Sequence, residues 1–90
     1  MLTENKIHRA GRLDQIVRDY FQTNQSINEI AAKELMPLLI EKGIFKSNHR
    51  DGLPLRNFLR ELDSENKLDL LKHIKVERKE INRNWYFKRK

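Results

Sequence analysis

Leu13, Ile16, Val17, Tyr20 and Phe21 fall at spacings of i, i+3, i+4, i+7 and i+8. That is one stripe of an amphipathic helix, and it predicts a helix over residues 9–22 with Arg12, Asp14, Arg18 and Asp19 turned to solvent. Residues 1–8 are expected to fray. Thr23, Asn24 and Gln25 read as the connection, and Ser26-Ile-Asn-Glu29 matches a capping box, in which the Ser hydroxyl and the Glu carboxylate satisfy two orphan amides reciprocally. A second helix is expected from there, with Ile30, Ala31, Leu35, Leu38 and Leu39 on its buried side. Pro37 interrupts it, because proline lacks a donor and clashes with the preceding turn. The segment therefore reads either as one helix over 27–42 bent near Lys33, the reading adopted, or as a new short helix begun at Pro37 and ended by Gly43.

Ile44 and Phe45 are expected to return to the core before a polar loop, Lys46-Ser-Asn-His-Arg-Asp-Gly52. Pro54 suits the first turn of a third helix, whose stripe is Leu55, Phe58, Leu59 and Leu62. Beyond Lys67 the period changes. Ile74 and Val76, and then Trp85 and Phe87, are each two positions apart, which favours strands over 71–79 and 84–89. Residues 80–83 form the hairpin loop, and a register pairing Val76 with Phe87 puts the apolar side chains on one face. Tyr86, Lys75 and Lys88 then point the other way. An isolated hairpin is marginal, so this one needs the helices beneath it.

Charge sharpens this picture. The chain has 90 residues and a formal net charge of +6. Residues 1–71 carry eleven Lys or Arg and eleven Asp or Glu, whereas 72–90 carry eight basic residues against Glu77 and Glu80. A neutral body with one basic end implies a localised contact with a polyanion. The length bounds the chain to one domain, taken as 9–90. There is no cysteine to staple it, no apolar leader, and no run near the ~20 residues of a membrane span; the expected compartment is the cytoplasm, with no membrane contact.

The capped second helix, the Pro-started "LPLRNFLREL" and the hairpin "IKVERKEINRNWYF" together resemble the winged helix-turn-helix superfamily over about residues 9–89. The fold class expected is α+β, three helices followed by a two-stranded antiparallel hairpin, the wing. The small strand that such domains often carry before the second helix is expected, if at all, at residues 25–27. The resemblance implies a DNA-binding protein in transcriptional control, with the third helix in the major groove and the wing on phosphates or the minor groove. Arg56, Asn57 and Arg60 are then the base readers, since Arg pairs bidentately with guanine and Asn with adenine. Ser47, Asn48, His49 and Arg50 before that helix, and Arg78, Lys79, Asn82, Arg83 and Lys88 in the hairpin, are the expected phosphate contacts. The third helix balances Arg56, Arg60 and Lys67 against Glu61, Asp63 and Glu65. The hairpin must then be the main electrostatic anchor, and roughly five to seven neutralised phosphates correspond to a salt slope of about −4 to −6.

Two other partners fit the same features: RNA, or an acidic protein surface met by the basic hairpin. Trp85 and Phe87 are needed as core, which leaves only Tyr86 free to stack on a base. His8, His49 and His73 share no ligand spacing, so neither metal nor cofactor is expected. No nucleophile has an oriented base, and Gly11, Gly43 and Gly52 build no phosphate loop, so catalysis is not expected. Oligomeric state, target sequence and any effector are not legible in these residues.

Overall fold

The computed structural model describes residues 3–46, 52–79 and 84–90. The first helix, α1, runs Glu4–Thr23, five residues earlier than the expected start at 9. Thr3 is the reason. Its side chain accepts from the Lys6 amide at 3.2 Å, and Glu4 sits in the first turn, where a carboxylate favours the positive end of the helix. Ala10, Leu13, Val17 and Phe21 form its buried stripe. Asp14, expected to face solvent, is only 4 % exposed. Both its oxygens are taken by His73: Oδ1 accepts from the backbone amide at 2.8 Å, and Oδ2 lies 2.6 Å from the ring Nδ1. Burial of this carboxylate is tolerable because the donors arrive from a segment 59 residues away.

No helix starts at residue 27. Glu29–Ala31 is a short strand, β1, followed by a 3-10 turn at Ala32–Leu35 and a six-residue helix, α2, at Met36–Glu41. The capping-box signal of Ser26 and Glu29 is overridden by pairing: Ile30 lies opposite Phe87 of the last strand, and the Arg89 amide donates to the Asn28 carbonyl at 2.8 Å. Of the two readings of Pro37, the new short helix is the one that forms, with Pro37 in its first turn. It ends as a Schellman motif, in which Gly43, at φ 79°, donates to the Ile40 carbonyl and Ile44 to that of Leu39. Leu53–Ser64 is the third helix, α3, with Leu55, Phe58, Leu59 and Leu62 buried as the spacing predicts. Asn66, at φ 55°, ends it in the same way, with Lys67 donating to Leu62 and Asn66 to Asp63.

A second 3-10 turn, Leu68–Leu70, leads to β2 at Ile74–Lys79 and β3 at Asn84–Arg89. Their register pairs Val76 with Phe87, as the alternation of apolar residues predicts. The sheet nevertheless has three strands rather than two, in the order β1-β3-β2, all antiparallel. The small strand is β1, not residues 25–27. Ile30, Phe87 and Val76 make one inward row across it, and Phe87, fully buried, is its centre. The outward rows are Glu29, Lys88 and Lys75, then Ala31, Tyr86 and Glu77.

The Ala32–Leu35 turn is where the layers meet, touching α2, α3, β1 and β3. Gly52, at the start of α3, has φ 87° and packs so closely on this turn that an added Cβ would lie 3.0 Å from Lys33 Cβ and 3.2 Å from Lys33 Cα. Arg89 closes the other side. Its guanidinium donates to the carbonyls of Asn24 and Ile27 and to Asn28 Oδ1, and lies 5.3 Å from the centre of the Phe21 ring.

Gly52→Ala is expected to lower stability by about 2 kcal/mol, combining left-handed strain with displacement of Lys33. Gly11→Ala, inside α1 with nothing within 4 Å of the new methyl, should raise it by about 0.5–1 kcal/mol. Urea unfolding monitored by circular dichroism checks both. The same measurement should rank Asp14→Ala (about 3 kcal/mol lost) above His73→Ala (about 1 kcal/mol), because the latter keeps the backbone donor.

Candidate nucleic-acid interface

With Leu55, Phe58, Leu59 and Leu62 turned inward, α3 presents Asn57, Arg60, Asp63 and Ser64 to solvent, and Arg56 half-buried at its flank. Ser64 is spent locally, its hydroxyl donating to the Glu61 carbonyl at 2.9 Å. Glu61, which makes α3 neutral on paper, does not stand alone: Lys6 of α1 reaches its Oε2 at 2.6 Å. The first turns of α1 thus run alongside the Phe58–Glu61 edge of α3, and they bring a further cation. The Arg9 guanidinium lies 5.6 Å from the centre of the Phe45 ring and 5.8 Å from that of Phe58, while those two rings meet edge to face. Lys6 falls in the stretch expected to fray, and both Lys6 and Arg9 meet partners far along the chain, so neither shows as a site residue in the sequence. The signal that could have found them is Thr3, a good cap, seven residues before Ala10 on the buried stripe.

The basic hairpin does not form one patch. Lys88 sits on the outer face of the sheet between Glu29, at 3.6 Å, and Glu77, with which it makes its closest ion pair. Lys79 lies 3.3 Å from Glu29 and 4.4 Å above the centre of the Tyr86 ring. These side chains build a lattice of alternating charge, which occupies Tyr86 as well. Arg78, on the opposite face of β2, is exposed and lies 5.9 Å from the centre of Trp85, its cross-strand neighbour. Arg89 and Lys90 turn to the base of the hairpin, the latter donating to the Lys72 carbonyl at 2.7 Å. Of the twelve residues expected to contact a nucleic acid, Ser47, Asn48, His49, Arg50, Asn82 and Arg83 lie outside the described residues. Arg56, Asn57 and Arg60 share α3; Arg78, Lys79 and Lys88 divide between the two faces of the hairpin. β2 and β3 pack on α1, whereas α3 packs on the two 3-10 turns, so the helix face and the hairpin are joined through Ala32–Leu35.

Comparison with protein-family models, with curated proteins and with solved structures gave no match. Among the described residues no helix is long and apolar enough to cross a membrane.

The lattice carries a pH signature. The hydrogen bond from Lys88 holds the Glu77 carboxyl below its ordinary 4.5, and the same bond, with the nearby Glu29 charge, holds Lys88 above its ordinary 10.5. The Glu77 contribution is therefore full above about pH 4.5 and lost as pH falls through its lowered folded value. That of Lys88 is full below about pH 10.5 and lost as pH rises through its raised one. Both side chains are well exposed, so the effect is small. The gap in urea midpoint between the wild type and Lys88→Met should be constant from pH 6 to 9 and close as the Glu77 carboxyl takes up its proton in acid; a gap independent of pH down to 2 would show that the lattice does not contribute.

Proposed function

We propose that this protein is a winged-helix domain that binds duplex DNA in transcriptional control, with the exposed face of α3 as reader and the hairpin end beside Arg78 as phosphate contact. The observation that carries this reading is the ion pair between Lys6 and Glu61. With Glu61 matched from α1, Asn57 and Arg60 stand exposed on α3 against Asp63, and Arg9 adds a cation at the Phe58 edge. A helix that looks uncharged in sequence thereby presents guanidinium and carboxamide groups suited to guanine and adenine edges. The order of elements supports the winged-helix architecture: a small strand precedes the second helix and pairs with the last strand of the hairpin. The connection from α2 to α3 departs from a tight helix-turn-helix, since it spans residues 42–52 where a turn of about three or four residues is usual.

Fewer cations take part than the composition implies. Lys88 is ion-paired on the outer face, Lys79 is shared with Glu29, and Arg89 and Lys90 lie at the hairpin base, away from Arg78. About three to five phosphate contacts remain, and the slope of log affinity against log salt should be about −3 to −5 for duplex DNA. Fluorescence anisotropy with duplex DNA, single-stranded DNA and duplex RNA across a salt series tests this. Duplex DNA is expected to bind most tightly; no binding to any of the three at ~50 mM salt overturns the proposal, and preference for duplex RNA replaces the ligand. Arg60→Ala should relax base preference in a selection from random duplexes by about ten-fold at its position, whereas Arg78→Ala should weaken all sequences alike.

A further inference from the structure

At the end of the hairpin away from residues 79 and 84, a cleft opens between the second half of α1 and the strand ends. It has a volume of about 220 Å³ and is lined by Arg18, Phe21, Gln22, His73, Arg89 and Lys90. Four of these six are basic side chains and none is a carboxylate. The strand between this cleft and the hairpin loop is six residues long, about 20 Å at ~3.3 Å per residue, so the cleft is separate from the proposed DNA contact of Arg78.

Three features make it a site for an anion. Arg89 is held rigidly by the Asn24 and Ile27 carbonyls, by Asn28 and by the Phe21 ring, so its charge is positioned in advance. Arg18 has a buried Nε with no hydrogen-bond partner among the described residues, and its Nη2 approaches Asp19 only at 3.4 Å. The rest of that side chain is partly exposed, so its Nη protons are the ones that can reach an acceptor in the cleft. His73 is held in the cleft wall by the bond of its Nδ1 to Asp14, and Lys90 uses Nζ on the Lys72 carbonyl with further protons to give. The volume lies below the ~300–1,000 Å³ of sites for organic ligands, which suits a compact tetrahedral oxyanion.

We propose that this cleft binds a phosphate group, with Arg18, Arg89 and Lys90 as its donors and His73 as the neighbour that senses it. The group comes from free phosphate, from a small phosphomonoester, or from a nucleic-acid backbone; the chemistry is shared. An anion here would bridge α1 to the ends of β2 and β3 and tighten the same junction that Asp14 holds.

Amide shifts in two-dimensional NMR test the proposal, titrating the whole chain with sodium phosphate, with sodium chloride at equal ionic strength, and with a short DNA duplex. Saturable shifts at Arg18, His73 and Lys90 with phosphate, absent with chloride, are expected, and Arg18→Gln should weaken that binding at least ten-fold while retaining the dispersed spectrum of a folded chain. Lys90→Gln, at an exposed position, should weaken it too. Shifts at these amides with phosphate alone identify a free anion as the ligand, and saturation by the duplex identifies a phosphodiester. Indifference to phosphate and duplex alike, an equal response to chloride, or unchanged affinity in both variants overturns the proposal.

Discussion

A carboxylate with almost no access to water must be answered by donors, and for Asp14 both come from residue 73. That single requirement fixes where the hairpin starts relative to α1. Two well-oriented bonds onto one ionised group have a strict geometry, so β2 leaves the helix at one position and in one direction. Arg89, opposite Ile74 at the same base of the hairpin, does the corresponding work for β3 by docking on the turn between α1 and β1. With both strands tied at the hairpin base, one to the helix and one to its following turn, the apolar row of Ile30, Phe87 and Val76 falls over the core without slippage. Packing supplies most of the stability, while these polar contacts select one arrangement of it.

The surplus of cations in the last nineteen residues serves three separate ends. Lys75, Lys79 and Lys88 stand on the outer face of the sheet, where Glu29 and Glu77 moderate them. Arg89 is an internal strut. Lys72 and Lys90 crowd the hairpin base, and among described residues only Arg78 projects from the inward-facing row of β2 beyond the core. Meanwhile α1 lends Lys6 and Arg9 to the edge of α3. Net charge located along a sequence is thus a poor guide to where a field will be strong, because cross-strand and interhelical partners redistribute it.

Legibility followed the range of the forces involved. The stripe of α3, the first turn at Pro54 and the register of Val76 with Phe87 rest on local periodicity and on a short loop, and the residues announced them. The region from 26 to 42 misled because Ser26 and Glu29 satisfy a local helix rule while Ile30 satisfies a distant strand, and the distant pairing won. Asp14 misled for the same reason. Its position on the helix gave no hint of two donors 59 residues away, and without them it would have belonged in water. The candidate interface was half legible: Arg56, Asn57 and Arg60 follow from the buried stripe, but the neutralisation of Glu61 by Lys6 is a tertiary fact.

Among the described residues the strand that comes last in sequence, β3, is the middle strand of the sheet. β1 and β2 have no hydrogen bonds to one another and share only β3 as a neighbour. Until β3 is in place, β1 and β2 therefore have no strand between them, and the apolar floor meant for Phe87 and Trp85 stands open to solvent. Closure is ordered by this topology: the sheet forms from the inside, when β3 inserts between its two neighbours, rather than by adding strands at an edge.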